Sequence, residues 1–344
     1  MNEKAPEHSM LGPTSKDATG EDFTDAKGRR WVAVAEVTSL QADEVDVAES
    51  ERERRSVDDY PPPGPDPRTL SRAELAERLR PRRLVGGYEY RLEGPDFETA
   101  DLILGSGDVP NTPGGLGSRS AFARPKYIVG PDDRRRVENT RAFPGSAHAH
   151  LARQNCTATM IGPSTALCAA HCFFNNGWIP SQSITFGANT TNPTAPFGSF
   201  LADSLTLPGG WNGSGDWDWD FAVLEFSPSR PRLGDQTGWF GTGQNFNGRK
   251  TCIGYPTDKT IPSQWIKGGT FTATVGARYQ HNLDIIPGDS GAGIYHDDDS
   301  RCNAIQSTQW FDSSVTPTRF WNEGRRWDST TYNFFRTYGN WPRA

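Results

Sequence analysis

Three segments of this sequence contain residue types that together could carry out nucleophilic catalysis. Ser290 lies in the glycine-flanked stretch GDSGAG, His171 lies in AAHC, and Asp220 opens the apolar run DFAVL. A serine hydroxyl is a poor nucleophile at neutral pH and needs a base within hydrogen-bond reach. We therefore predict that Ser290 attacks, that His171 takes and returns the proton, and that Asp220 orients the imidazole.

Gly288 has a separate predicted role beside the nucleophile. A glycine there lets the backbone turn so that the N–H groups of Gly288 and Ser290 form an oxyanion hole, where negative charge develops during acyl transfer. One such donor contributes about 10²–10³ in rate. This chemistry requires neither a metal nor an organic cofactor. The chain order His, Asp, Ser also matters, because the same three residues occur in other orders on other folds.

The composition limits the class of protein. Of 344 residues, 34% are hydrophobic, and the net charge of -6 argues against a nucleic-acid partner, which would favour a basic patch. No apolar run approaches the roughly 18 residues of a membrane helix, so we expect no membrane partner. The 26 prolines and 11 tryptophans are typical of a loop-rich β protein. No recognisable signal peptide follows Met1 or Met10.

Residues 1–126 differ from the rest of the chain, since they contain no cysteine and include charge runs such as 51–55. The Pro- and Gly-rich stretches 61–65 and 105–117 are typical of linkers. Between them, Ser71-Arg72-Ala73-Glu74 matches a capping box, which predicts a short helix near 71–80 that ends at Pro81. We expect a mostly disordered N-terminal arm, either a propeptide or a tail without a role.

Residues 127–344 contain short β segments separated by turn signals, which is typical of an all-β sandwich or barrel. The clearest of these segments are 157–161, 184–186, 221–226, 291–295 and 304–310. This length is suitable for one two-barrel domain.

The AAHC, DFAVL and GDSG segments resemble those of the trypsin/chymotrypsin-like serine peptidases. GYPTDK at 254–259 and IVGPDDR at 128–134 are similar to segments of the bacterial glutamyl endopeptidase branch. The resemblance covers about 127–320. It implies two antiparallel six-stranded β-barrels with the active site between them, a short C-terminal helix, a monomer, and protein or peptide substrates. It also assigns the triad to His171, Asp220 and Ser290.

The same resemblance implies two disulfides, Cys156–Cys172 beside the histidine and Cys252–Cys302 around the serine segment. Cys168 is then left over as a buried thiol. Two disulfides indicate an oxidising compartment, so we expect a secreted protein. A zinc site at Cys168, His171 and Cys172 lacks a second ligand pair at a usual spacing. The acidic stretch 216–220 opens like a calcium loop but has Phe221 and Ser227 where that loop needs Gly and Glu. The acidic run 297–299 is either a weak calcium site or, as we expect, a solvated turn, and we predict no metal.

The resemblance places the specificity pocket at two residues and leaves the preference open. Asp284 lies six residues before Ser290, where trypsin has the acid that selects Arg or Lys. Gln306 stands where the glutamyl-specific branch relies on a histidine. A basic, an acidic or another residue at the cleaved position (P1) therefore stays possible.

Activation by proteolysis is also implied. In trypsin-like enzymes a freed N-terminal amine pairs with the aspartate before the serine, which is Asp289 here. We predict a zymogen cut near 124–128, with Ile128 as the new terminus and Arg124 and Lys126 as basic cleavage sites. The competing interpretation is a catalytically inactive homologue that serves as a binding module. An esterase fold is disfavoured because the histidine precedes the serine.

Overall fold

A computed structural model gives the fold of the chain. It describes residues 20–25, 27–37, 54–56, 67–106, 132, 134–179, 183–191, 194–213, 215–226, 232–312 and 319–339. The predicted cleavage region at 124–128, the 61–65 linker and most of the 105–117 linker lie outside the described residues.

The described residues form mostly strands. The strands are β1 (Phe23–Thr24), β2 (Arg30–Glu36), β3 (Arg54–Ser56), β4 (Arg82–Val85), β5 (Tyr88–Leu92), β6 (Arg135–Arg136), β7 (His148–Leu151), β8 (Cys156–Met160), β9 (Thr165–Cys168), β10 (Ile184–Phe186), β11 (Ser199–Phe200), β12 (Ser204–Leu207), β13 (Ala222–Glu225), β14 (Gly241–Thr242), β15 (Lys250–Gly254), β16 (Trp265–Gly269), β17 (Phe271–Val275), β18 (Arg278–His281), β19 (Gly293–His296), β20 (Arg301–Asp312) and β21 (Arg319–Arg326). The α-helices are α1 (Arg72–Leu79), α2 (Phe97–Gly105), α3 (Leu233–Thr237) and α4 (Ser329–Tyr338).

The strands form two sheets. The first has the order β1-β2-β5-β4-β12-β13-β9-β8-β7-β10-β11, and the path of the second is β17-β18-β21-β20-β19-β15-β16-β6. Strands β14 and β3 join the second sheet by parallel pairing with β20, and the other pairings are antiparallel. These curled sheets and the short C-terminal helix α4 confirm the predicted all-β, chymotrypsin-like fold class.

Strands β7, β8, β9 and β13 are buried at every position, which places them in the centre of the fold. Strands covered on both faces are recognised by continuous apolar or small residues rather than by alternation, as in TALC and AVLE. The central strands of the first sheet are therefore a rigid support for the loops at their ends.

The N-terminal arm contains more structure than the sequence indicated. Helix α1 is present, and Ser71 and Glu74 form the predicted capping box. Residues 67–106 also form β4, β5 and α2, and β4 extends the first sheet by pairing with β12. Part of the arm is therefore an integral layer of the fold, because it pairs with strand β12 from the middle of the chain and contacts helix α4 at the C-terminal end.

The arm reaches the C-terminal helix through side chains as well. The hydroxyl of Tyr338 donates to Asp96, which also caps α2 through the N–H of Thr99. The arm also contacts the middle of the chain, where Arg78 of α1 pairs with Asp216 at 2.7 Å.

Within the described residues, no helix is long and apolar enough to cross a membrane.

Candidate active site

His171 lies in a short 3-10 turn, Ala170–Cys172, immediately after strand β9. A disulfide between Cys156 and Cys172 ties this turn to the start of β8, as predicted. The His171 ring packs edge-on against Trp217, with ring centroids 5.8 Å apart. The imidazole is therefore fixed on one side by a covalent link in its own turn and on another by an aromatic ring.

Asp220 is brought to His171 by strand pairing. Strand β13 runs antiparallel to β9, and Ala222 lies opposite Cys168, so the residues just outside this pair meet at the same end. The Nδ1 atom of His171 lies 2.8 Å from Oδ2 of Asp220, and the backbone N–H of His171 donates to Oδ1 at 2.9 Å. Asp220 is completely buried. The predicted base and the predicted orienting acid are thus hydrogen-bonded.

Ser307 completes the surroundings of this carboxylate. Its hydroxyl donates to Oδ2 of Asp220. Sequence reasoning missed Ser307, because a serine in a strand has no local signal for this role. Its only indication was its position next to the predicted pocket residue Gln306.

Ser290 comes from the second sheet, in the loop between β18 and β19. The carbonyl of Ser290 accepts the Thr157 N–H at 2.8 Å and lies 3.8 Å from Sγ of Cys172. Since Thr157 belongs to β8 and Cys172 follows His171, the serine loop is seated on the part of the first sheet that holds the histidine. The structure therefore joins His171 directly to Asp220 and places the Ser290 loop, from the second sheet, against the strand and turn beside His171.

Gly288 requires glycine for two reasons. Its φ of +101° lies in the region that residues with a Cβ rarely adopt, and a Cβ there would lie 2.2 Å from the Tyr255 carbonyl oxygen. The Gly288 carbonyl accepts a hydrogen bond from the Thr157 hydroxyl at 2.8 Å, which fixes the orientation of the peptide group between Gly288 and Asp289. This turn is the one in which the sequence predicted an oxyanion hole.

The other buried histidines are poor candidates for the base. Burial lowers the pKa of His148 and of His281 to about 3, and Lys267 adds to the effect at His148. Burial likewise lowers the pKa of His150. An imidazole whose pKa is about 3, as at His148 and His281, binds protons too weakly to act near neutral pH. Of these histidines and His171, only His171 also has a carboxylate on Nδ1.

The predicted second disulfide is wrong for this structure, in which Cys252 and Cys302 are free, buried thiols. Cys252 lies on β15 opposite Ile294, and Cys302 lies on β20 opposite Tyr295, so β19 separates them. Strands two positions apart are about 9–10 Å from each other, beyond the roughly 7 Å that a disulfide can span between Cα atoms.

Cys168 is a buried free thiol, and its Sγ lies 3.2 Å from the Thr157 carbonyl. Burial raises its pKa well above the ordinary value.

Among the described residues, one group of histidine, cysteine or acidic side chains lies close enough together to hold a metal ion, namely Cys156, His171 and Cys172. Both sulfurs there form the disulfide and Nδ1 is held by Asp220, so this set does not fit a metal ion.

The two predicted pocket residues have partners of their own. The Asp284 carboxylate lies 3.4 Å from Nε of Arg134, a buried guanidinium that also binds Asp132 and Asp258. Burial raises the pKa of Asp284, and Arg134 opposes that effect. Gln306 is buried, with Oε1 2.9 Å from Nε2 of His281. The assignment of Asp284 and Gln306 to the specificity pocket stays a prediction. The Asp284 carboxylate is paired with the Arg134 guanidinium.

With this geometry, the comparisons with known proteins decide the family. The chain is 30% identical over 256 residues to a glutamyl endopeptidase of Bacillus licheniformis, covering 70% of this chain and 78% of that protein. The chain belongs to the trypsin-like serine peptidases related to glutamyl endopeptidase. A solved structure of a Glu endopeptidase in complex with MPD matches this peptidase with a TM-score of 0.53 at 25% identity, covering 61% of this chain and 98% of that one.

A second curated relative of this peptidase is more distant. An extracellular metalloprotease of Bacillus subtilis is 24% identical over 187 residues, covering 50% of this chain and 58% of that protein. No protein-family profile matches the chain. The first relative and the structural match together make this protein a serine endopeptidase, a hydrolase of peptide bonds.

Proposed function

We propose that this serine endopeptidase cleaves peptide bonds through a Ser290–His171–Asp220 triad and an acyl-enzyme intermediate. The observation that supports the proposal most strongly is the 2.8 Å contact between Nδ1 of His171 and the buried Asp220. It leaves Nε2, the other ring nitrogen, to act on the serine. The contacts of the Ser290 backbone carbonyl with Thr157 and Cys172 also support the proposal, since Cys172 follows His171 in the chain.

In the first half of the reaction, Ser290 Oγ attacks the carbonyl carbon of the scissile peptide bond. His171 Nε2 accepts the hydroxyl proton and then donates it to the leaving amine, so the C–N bond breaks and an ester to Ser290 remains. Asp220 keeps the Nδ1 proton on its side of the ring and stabilises the imidazolium. The N–H groups of Gly288 and Ser290 stabilise the oxyanion.

In the second half, water replaces the amine. His171 takes a proton from the water, whose oxygen attacks the ester carbonyl, and then returns that proton to Ser290 Oγ. The product acid leaves and the triad is restored. Every proton that His171 accepts is given back within one turnover, so the reaction balances without a cofactor.

The proposal extends to the substrate and the setting. Protein or peptide chains are the substrates, and an extracellular location agrees with the name of the Bacillus subtilis relative and with the Cys156–Cys172 disulfide. Asp284 and Gln306 line the specificity pocket. The Arg134 guanidinium lies 3.4 Å from the Asp284 carboxylate and competes with a basic P1 side chain for it. The Bacillus licheniformis relative is named for glutamyl bonds.

The test of the proposed activity is labelling of the full chain with a fluorophosphonate probe, which reacts with activated serines. We expect labelling of the unaltered chain and none of Ser290→Ala. Ser263→Ala is the matched control, since Ser263 is a buried serine in the same half of the chain and should leave labelling intact. A folded wild-type protein that stays unlabelled both before and after cleavage near 124–128 would instead support the inactive homologue that acts as a binding module.

We further propose that the chain is a zymogen, cut near 124–128. We expect the N-terminal piece to stay bound after the cut, because β4 is hydrogen-bonded to β12 and Trp31, Leu79 and Ile103 are completely buried. Each such side chain contributes about 1.5–3 kcal/mol to association when it is removed from water.

Size-exclusion chromatography of the cut protein, followed by mass spectrometry of the peak, measures this retention. Both pieces should elute together in native buffer and separate in denaturant. Elution of the N-terminal piece by itself in native buffer would show that the arm is a dissociating propeptide.

A further inference from the structure

Asp289, the residue before the proposed nucleophile, has a neighbouring backbone N–H at one carboxylate oxygen and a lysine ammonium at the other. Its Oδ2 accepts the backbone N–H of Ile286 at 3.0 Å. Its Oδ1 pairs with Nζ of Lys267, which lies on β16. Both side chains are 0% exposed. The carboxylate that the sequence assigned to a freed N-terminal amine is therefore paired with a lysine from within the domain.

The surroundings of this ion pair are shaped to hold it. Gly254 on β15 lies beside the pair, and a Cβ at Gly254 would lie 2.2 Å from Oδ1 of Asp289. Lys267 on β16 is the register partner of Cys252, which lies on β15 two residues before Gly254. A charge buried this deeply is stable only with a close partner, so each member of the pair requires the other.

We infer that Lys267 is a positioning residue for the proposed reaction, and that its buried ammonium takes the place of the freed N-terminal amine. It fixes the Asp289 carboxylate and, through the Gly288–Ser290 backbone, the orientation of the oxyanion-hole N–H groups. The inference rests on the proposed function of Ser290. Because Lys267 is present in the uncut chain, the oxyanion hole is formed before any cleavage.

The first experiment compares uncut with cut protein. Arg124→Gln/Lys126→Gln, verified as intact by mass spectrometry, supplies the uncut form. A fluorophosphonate, which is small and needs a formed oxyanion hole, should label both forms at rates within about threefold. Labelling of the uncut form that is slower by about 100-fold or more would overturn the inference, because the hole would then await an amine.

The second experiment changes the pair in the cut protein. Lys267→Met should lower kcat by about 100-fold, comparable to the loss of one oxyanion donor, with little change in KM. It leaves Asp289 unpaired, so the double variant Lys267→Met/Asp289→Asn provides a neutral pair that folds more readily. We expect a drop in kcat of about tenfold for the double variant, and a matching loss of affinity for a peptide aldehyde, which forms an oxyanion when bound.

Lys250→Met is the matched control. Lys250 is also a buried lysine, on the neighbouring strand β15, and it binds Asn247 and Asn303 instead of the serine loop. Its replacement should lower thermal stability and leave kcat within about twofold. A folded double variant with wild-type kcat and wild-type aldehyde affinity would overturn the inference. Absence of labelling in the cut, folded wild-type protein would instead refute the proposed function itself, so the two failures are distinguishable.

Discussion

Ser290→Ala and His171→Ala are each expected to lower kcat by about 10⁶-fold, and the double variant should lower it no further. The two residues act as one unit, since the hydroxyl is inert without a base and the base is useless without a nucleophile. Residual activity of about 10³–10⁴ over the uncatalysed rate should remain, because Gly288 and the Ser290 N–H still bind the oxyanion.

Steady-state hydrolysis of a peptide amide, with active sites counted by titration of the wild type, measures these effects. His296→Ala is the control for the histidine: His296 ends β19, near Asp298 and Asp299, and its replacement should leave kcat within about twofold. Additive losses in the double variant would mean that the serine and the histidine act independently, contrary to a triad.

Asp220→Asn is expected to lower kcat by about 10⁴-fold with little change in KM or thermal stability. The Asp220 carboxylate accepts the His171 backbone N–H on one oxygen, and the His171 ring and the Ser307 hydroxyl on the other. An asparagine has one oxygen and one NH₂ group. In either orientation its NH₂ group meets a donor, and the orientation that keeps the backbone contact places the ring in the wrong tautomer.

Ser307→Ala is the matched control for this prediction. It removes one donor to Asp220 and keeps the carboxylate, so kcat should fall by about tenfold or less. Measurement of kcat over a range of pH for both variants separates the two effects, since only Asp220→Asn changes the tautomer that is available near neutral pH. Activity of Asp220→Asn within about tenfold of wild type would contradict the orienting role.

Much of the fold was readable from local signals. The capping box at Ser71 and Glu74 predicted helix α1, because the two side chains satisfy backbone N–H groups within one turn. The apolar run around Val223 predicted a β-strand, which the structure has as β13. In each case the residues that set the structure are neighbours in sequence.

The remainder depended on contacts between distant segments. The sequence marked the arm as weakly folded, yet β4 gains a partner in β12, more than one hundred residues later. Cys252 and Cys302 flank the serine segment in sequence, but the strand β19 lies between them. Lys267 and Ser307 had no motif at all, since a lysine and a serine in strands are ordinary residues until their partners are known.

The sequence by itself determined the family, the fold class and the residue types for an acyl transfer at His171, Asp220 and Ser290, because each of these residues stands in a short motif. The tertiary structure decided which groups face them. It placed Ser307 on the buried carboxylate of Asp220, Arg134 beside Asp284, and Lys267 against Asp289. The physical reason is that a buried charge selects its partner by distance in space, and strand register rather than local sequence sets that distance.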